Sequence, residues 1–290
     1  MANKFHKVCV IGVGLIGGSM ALAMRKRHLA DEIIGVGRSI ENLKTAQKLG
    51  AITSWTQNVE DAVQGAELVI FAVPIRSMPG LMKKASGNFM RGAIITDVGS
   101  VKFNLIKSIE PLVPSGVNFV PAHPIAGREK SGARYSDPEL FKNRWTIITK
   151  SKRSSPESIR RIKNLWKALG SKVELMDAKE HDRILAGISH LPHIVAYALV
   201  GALLDMDRKT PMLRFSAGGF KDFTRIAESS PEMWADICLE NKREIIRAIN
   251  KYEAQMQRLK KWLEDENGDA LKNFFAMCKD VKEKIAKGNG

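Results

Sequence analysis

At 290 residues the chain exceeds the roughly 100–200 residues of a typical domain, which points to two domains. Its 44% hydrophobic and 27% charged content excludes bulk disorder and leaves ample material for a core. Lys and Arg outnumber Asp and Glu by 46 to 31, a net charge of +15, but they are spread along the chain, densest over 150–161 and the C-terminal helix, without interleaved aromatics; this reads as a solvated basic surface suited to an anionic small molecule, not to nucleic acid.

The N-terminus runs straight into a strand, without the apolar stretch and cleavage site of a signal peptide. Cys9, Cys238 and Cys278 are far apart and odd in number, which suits a reducing compartment, so a cytoplasmic protein is expected. Short apolar runs at 7–12, 32–36, 68–73, 93–98, 118–121, 146–149 and 172–175 predict strands. Between them, 17–27, 40–49, 78–89, 102–109 and 156–168 predict helices. The alternation predicts an α/β class, with a doubly wound Rossmann-type dinucleotide-binding domain over 1–177. From 178 the strand signals stop, predicting an all-α substrate and dimerisation domain over 178–290. Its first helix is strongly apolar over 188–204 but contains Ser189, His190 and His193, and it falls short of the roughly 20 apolar residues of a membrane span. That helix is expected to lie buried against other helices, or in a core shared by two subunits. Ser230-Pro231-Glu232 predicts the start of the next long helix, a cap followed by proline at the first helical position.

Gly12-Val13-Gly14-Leu15-Ile16-Gly17 follows a strand and opens a helix, the context in which G-x-G-x-x-G has meaning. Gly12 permits the tight turn, Gly14 lets the backbone approach a pyrophosphate, Gly17 allows close helix packing, and the helix N-terminus at Leu15 and Ile16 offers free N–H groups. Where an NAD site carries Asp or Glu for the ribose, this chain has Gly37-Arg38-Ser39. A guanidinium and a hydroxyl suit the 2′-phosphate of NADP+, although Arg38 can also stack on adenine in either cofactor's site. The expected cofactor is therefore NAD(P)+, with a lean to NADP+.

His123 lies between Pro121 and Pro124, after the last of the main strands and at the carboxyl edge of the sheet, where ligands bind. A histidine held there can take a proton from a substrate hydroxyl as hydride leaves the same carbon. A lone histidine is as readily a satisfied core or surface residue. His190 and His193 have the spacing of metal ligands, but no third ligand cluster accompanies them and no metal is expected.

Several further motifs carry a family resemblance: G-x-G-L-I-G-G-S over 12–19, D-V-G-S-V-K over 97–102, H-P-I-A-G-R-E-K-S-G over 123–132, S-H-L-P-H over 189–193, and G-G-F-K-D-F-T-R-I-A over 218–227 followed by Trp234. In that order and over nearly the whole chain, the sequence resembles the prephenate and arogenate dehydrogenases of tyrosine biosynthesis. The resemblance implies oxidative decarboxylation of prephenate to 4-hydroxyphenylpyruvate, or of arogenate directly to tyrosine. It implies that His123 is the base on the ring hydroxyl and that Ser100 helps orient it and the cofactor. It further implies that Arg225 binds a carboxylate and that His193 binds substrate, with Ser189 and His190 as weaker candidates.

Glu129, Lys221, Asp222 and Arg225 read either as an ionic group near the pocket mouth or as a solvated charge cluster. Arg128 departs from the family, where a small hydroxyl residue is more usual, and adds positive charge near a substrate carboxylate. With no chorismate mutase or ACT-type segment expected beside these regions, tyrosine inhibition would act at the active site. Two other readings are a β-hydroxyacid or pyrroline-carboxylate type enzyme, which lacks the H-P-I-A-G segment, and a non-catalytic dinucleotide sensor. The expected partners are a small-molecule substrate and a second copy in a homodimer, with neither nucleic acid nor membrane.

Overall fold

A computed structural model describes residues 4–127, 130–206 and 212–286. The chain begins β1 (Phe5–Ile11), α1 (Leu15–Lys26), β2 (Ala30–Val36), α2 (Ile40–Lys48), β3 (Ser54–Thr56), α3 (Val59–Val63), β4 (Leu68–Phe71), α4 (Met78–Ala85), β5 (Ile94–Asp97), α5 (Phe103–Ile109) and β6 (Asn118–Val120). These strands form one sheet in the order β3-β2-β1-β4-β5-β6, every neighbouring pair parallel. The period of two in a strand explains why both faces of this sheet are covered. Val8 and Val10 of β1, with Leu68 and Ile70 of β4, enter one core, whereas Cys9, Ile11, Val69 and Phe71 enter the other. The chain winds outward from β1 to β3, then crosses back to β4 on the other side of β1. The carboxyl ends of β1 and β4 are thus a topological switch point, where such sheets hold ligands.

β3 and α3 are elements the sequence does not announce, because three and five residues are too few for a period to show. The expected strand over 118–121 is β6, and a further strand that was not expected follows it at once. Pro121 has no N–H for a ladder, so β6 stops at Val120 and β7 (Ala122–Pro124) starts a second sheet. β7 runs antiparallel to β8 (Trp145–Thr149), which is followed by α6 (Pro156–Ala168) and lies parallel to β9 (Lys172–Met176). His123 is therefore fixed in a ladder, in register with Ile147, and is not on a loop.

The helical region opens with α7 (Ala178–Leu185), capped by Asp177, whose carboxylate accepts from the amides of Lys179 at 2.8 Å and Glu180 at 3.3 Å. A π-helical turn over Ala186–His190 carries it into α8 (Leu191–Met206). After α9 (Gly218–Thr224) and a tight turn over Arg225–Glu228, α10 (Pro231–Glu240) starts at its Ser230 cap. All of this belongs to one compact unit over 1–242. The second unit, 243–290, is built on α11 (Lys242–Glu264) and α12 (Gly268–Ala286), with Trp262 against Phe274 at 5.7 Å.

Of the two expectations for α8, burial against other helices of the same chain is not met among the described residues. Among its described residues only Ala196 is buried, while Leu204 and Met206 are 56% and 61% exposed, as is Ile188 at 71% in the turn before it. The continuous run Ala178–Met206 has 29 residues and a mean hydropathy of 1.5 in its most apolar stretch, so by length and composition it is sufficient to cross a membrane. This corrects the view that its polar residues make it too short, since hydropathy averages over Ser189, His190 and His193.

The glycine turn supplies a test of the fold. Gly12 has φ +96, and a Cβ there would stand 2.3 Å from the Ala72 carbonyl oxygen, whereas a Cβ on Gly14 would meet nothing within 4 Å. Gly12→Ala is expected to lose about 2–5 kcal/mol in urea unfolding from strain and backbone clash together. Gly14→Ala should unfold like wild type and lose dinucleotide affinity.

Candidate active site

The turn after β1 is pinned on both sides, with Gly12 N–H donating to Val36 O and Ala72 N–H to Ile11 O, each at 2.8 Å. α1 begins at Leu15 with Gly14 as its cap residue and no side-chain hydrogen bond to its first amides. The positive end of a 12-residue helix therefore lies at Gly14, where a Cβ would meet nothing within 4 Å and a phosphate has room to approach. Gly17 is held to glycine by packing, since a Cβ there would lie 2.2 Å from Gly12 O. These features fit a dinucleotide pyrophosphate. Arg38 and Ser39 are exposed at the end of β2. The Ser39 hydroxyl also caps α2, accepting from Asn42 N–H at 3.2 Å, and Gln57 Nε2 donates to Arg38 O at 2.7 Å.

His123 is 8% exposed and belongs to a buried chain of side chains. Its Nδ1 lies 2.9 Å from His181 Nε2, and His181 Nδ1 lies 2.7 Å from Asp182 Oδ1. Asp182 also accepts from Lys102 N–H at 2.8 Å on Oδ1 and from Phe103 N–H at 2.9 Å on Oδ2. A carboxylate accepting these bonds requires His181 to donate from Nδ1, so His181 Nε2 carries a lone pair. His123 must then donate from Nδ1, which leaves its Nε2 as the free basic nitrogen.

Burial, and then the neighbouring His181, Lys102 and His190, hold His123 well below the usual imidazole range. His181 is lowered by burial against the opposing pull of Asp182, and burial brings His190 down to about 4. Beneath them Lys102 is fully buried, its ammonium on Asp97 and donating to Ala122 O at 2.8 Å, so the residue preceding His123 is held by a buried ion pair. Ser100 is half-buried in the turn between Asp97 and Lys102.

The π-helical turn offsets the next histidines. His190 is buried, its Nδ1 at 3.1 Å from Asn241 Nδ2, which also donates to Asp182 O at 2.8 Å. His193 Nδ1 donates to Ser189 O at 2.9 Å, and its ring stacks on Trp234 with centroids 3.8 Å apart. Among the described residues, His190 Nε2 and Trp234 Nε1 are buried with no hydrogen-bonding partner.

Arg225 and Lys221 are exposed on α9 and the turn after it, a segment packed on α8 and tied to it by Tyr197 Oη donating to Ser229 O at 2.8 Å. Arg128 and Glu129 lie outside the described residues, so the ionic group with Lys221, Asp222 and Arg225 is not assembled here. No group of three or more His, Cys, Asp or Glu gathers as metal ligands among the described residues. Sequence reading missed His181, Asp182 and Asn241, and gave Lys102 no role.

Comparison with known proteins adds the family. A family model described as the nucleotide-binding domain of prephenate dehydrogenase matches residues 20–175, and one described as its dimerization domain matches 177–277. The chain is 36% identical to the prephenate dehydrogenase of Bacillus subtilis over 278 residues, 95% of this chain and 75% of that one. It is 35% identical to the cyclohexadienyl dehydrogenase of Zymomonas mobilis, covering 93% of each. Among solved structures, prephenate dehydrogenase from Aquifex aeolicus in complex with hydroxyphenyl propionate and NAD+ superposes with a TM-score of 0.92 at 35% identity, covering 98% of this chain and 100% of that one.

The buried imidazole chain has a spectroscopic consequence. With its pKa lowered, His123 stays neutral as pH falls through 6.5, where a solvated imidazole protonates. Histidine-labelled NMR is expected to show no titration of the His123 ring between pH 6 and 8. An inflection near 6.5 would place that ring in water.

Proposed function

Because the chain belongs to the prephenate dehydrogenase family, we propose that it oxidises and decarboxylates prephenate to 4-hydroxyphenylpyruvate. The observation that carries this reading is the Asp182–His181–His123 chain beside the carboxyl edge of a dinucleotide-binding sheet. A dinucleotide held at the glycine turn would supply the hydride acceptor. His123 Nε2 takes the proton of the ring hydroxyl, while the C–H electrons of that carbon leave as hydride. The bond to the ring carboxylate then breaks as CO2 departs, its electrons complete the aromatic ring and move onto the former hydroxyl oxygen, and that oxygen takes the proton back from His123. His181 and Asp182 keep the His123 lone pair on Nε2, and their burial keeps it unprotonated at neutral pH.

Ser100 orients His123, and the Arg225 guanidinium and His193 hold the substrate, Arg225 through a carboxylate that suits bidentate pairing. Ser189, Lys221, Arg128 and Glu129 complete the substrate side, with the positive residues matching a dianion. Arogenate differs from prephenate only in an amino for a keto group on the side chain, so parallel assays with both substrates decide between them. Arg38 and Ser39 favour the 2′-phosphate of NADP+.

The helical region 178–290 serves substrate binding and dimerisation. Its apolar helix is the face that a second copy covers, which the match to a dimerization domain supports. On this reading the long apolar run packs against protein and the enzyme works as a soluble cytoplasmic homodimer.

His123→Asn is expected to lower kcat with prephenate by about 100- to 10,000-fold, the usual contribution of a general base, while dinucleotide binding persists. An unchanged rate would remove His123 from the chemistry. Arg38→Asp is expected to move the ratio of kcat/KM for NADP+ over NAD+ toward NAD+ by at least about tenfold, some 1.4 kcal/mol. A constant ratio would leave Arg38 without a role in that choice.

A further inference from the structure

Asn42 joins three pieces of chain, the glycine turn at Val13, the start of α2 and the stretch at Ala133. It sits half-buried in the first turn of α2, directly after Arg38 and the Ser39 cap. Its Nδ2 donates to Val13 O, inside the glycine turn, at 2.7 Å. Its Oδ1 accepts from Ala133 N–H at 2.8 Å. Exchanging nitrogen and oxygen would set donor against donor and acceptor against acceptor, so these neighbours fix the orientation of the amide. Asp lacks the donor, Leu lacks both groups, and only a side chain that donates and accepts serves both contacts.

Ala133 is the point at which the chain that left β7 after His123 returns to the cofactor side. It is fully buried, and Gly132 before it has φ +99, a turn that presents the Ala133 amide to Asn42. Past Ala133 the same segment is fastened to α1, with Asp137 N–H donating to Ser19 Oγ at 2.9 Å and Ser136 Oγ to Gly14 O at 3.5 Å. Gly18 lets Ser136 approach, since a Cβ on Gly18 would lie 2.2 Å from its hydroxyl. His123 is thus held in the β7 ladder, and the described stretch at Ala133–Asp137 is held by Asn42 and Ser19.

We propose that Asn42 is a positioning residue that couples the two ligand sites, its amide transmitting the set of the glycine turn to the far anchor of the segment that begins at His123. A dinucleotide between the glycine turn and the N-terminus of α2 fixes the spacing of Val13 and Asn42. Through Ala133 it fixes the point at which the chain leaving β7 returns to α1 and α2, and a substrate beside His123 acts back on the dinucleotide by the same amide. The inference rests on the dehydrogenase reading for the identity of the ligands, but not on His123 acting as the base.

The test is an equilibrium one. The Kd of NAD+ and of NADP+ is measured by calorimetry on the whole protein, with and without saturating hydroxyphenyl propionate as a non-reacting probe. Wild type is expected to bind its dinucleotide at least about fivefold more tightly with the probe present, the lower end of usual couplings. In Asn42→Asp the enhancement should shrink to less than about twofold, with kcat at saturating ligands within about threefold of wild type and both KM values raised. Asn42→Ser, whose hydroxyl still donates and accepts, should recover part of the enhancement and serves if the Asp variant fails to fold. A wild type without enhancement, or variants that keep all of it, overturns the proposal. Prephenate turnover is followed in the same preparations, so a wild type that couples its ligands but leaves prephenate untouched overturns the reaction and upholds the coupling.

Discussion

Asp182 accepts from the amides of Lys102 and Phe103 and from the His181 ring, so one buried carboxylate joins the start of α5 to α7. Those two amides are the first of a helix with no side-chain cap of its own, and a negative charge is well placed at that end. The carboxylate is thereby fixed by backbone before it meets a titratable group. Everything above it inherits that fixity: His181 has one available tautomer, and His123 has its lone pair on Nε2. Asn241 adds a further tie by donating to the carbonyl of Asp182 itself and to His190.

Around this carboxylate the protein has gathered Lys102, His123, His181 and His190, each at least nine-tenths buried. Four cations could not be held together there, because each would lose its hydration and repel the others. Burial pushes the Lys102 ammonium down and the Asp97 carboxyl up, their contact opposes both shifts, and burial holds the three imidazoles neutral. Neutrality is what a base needs. The same desolvation that makes the cluster expensive to protonate keeps His123 unprotonated at neutral pH, the state that the proposed base requires.

The parallel sheet and the glycine turn were legible because they depend on local signals: a run of apolar residues, a glycine triplet, a cap with proline behind it. His123 stood out because two prolines and a specific motif surround it. His181 and Asp182 did not, since the bond from His123 to His181 spans 58 positions and nothing in the local pattern of α7 marks either residue as chemical. The switch of sheets at Pro121 was equally hidden, because a strand broken by one proline and resumed antiparallel has the same composition as a strand that ends. The two alternatives for α8 stayed open in the sequence for a related reason. Periodicity reports that a helix is apolar, but not whether the surface that covers it belongs to the same chain.

That last point links assembly to chemistry. Through the π-helical turn α8 is continuous with α7, so the run that presents Leu204 and Met206 outward is the run that carries His181, Asp182, His190 and His193 inward. A π turn inserts one residue into the helical ladder, and the residues after it are rotated with respect to those before. Here that rotation lets His190 reach Asn241 on one side while His193, one helical turn on, stacks on Trp234. In the proposed dimer a second copy would cover the outer face of the helix whose inner face orders the imidazoles. The apolar exposure of α8 and the precision of the site are then two demands on one element, and a helix of uniform pitch would not meet both.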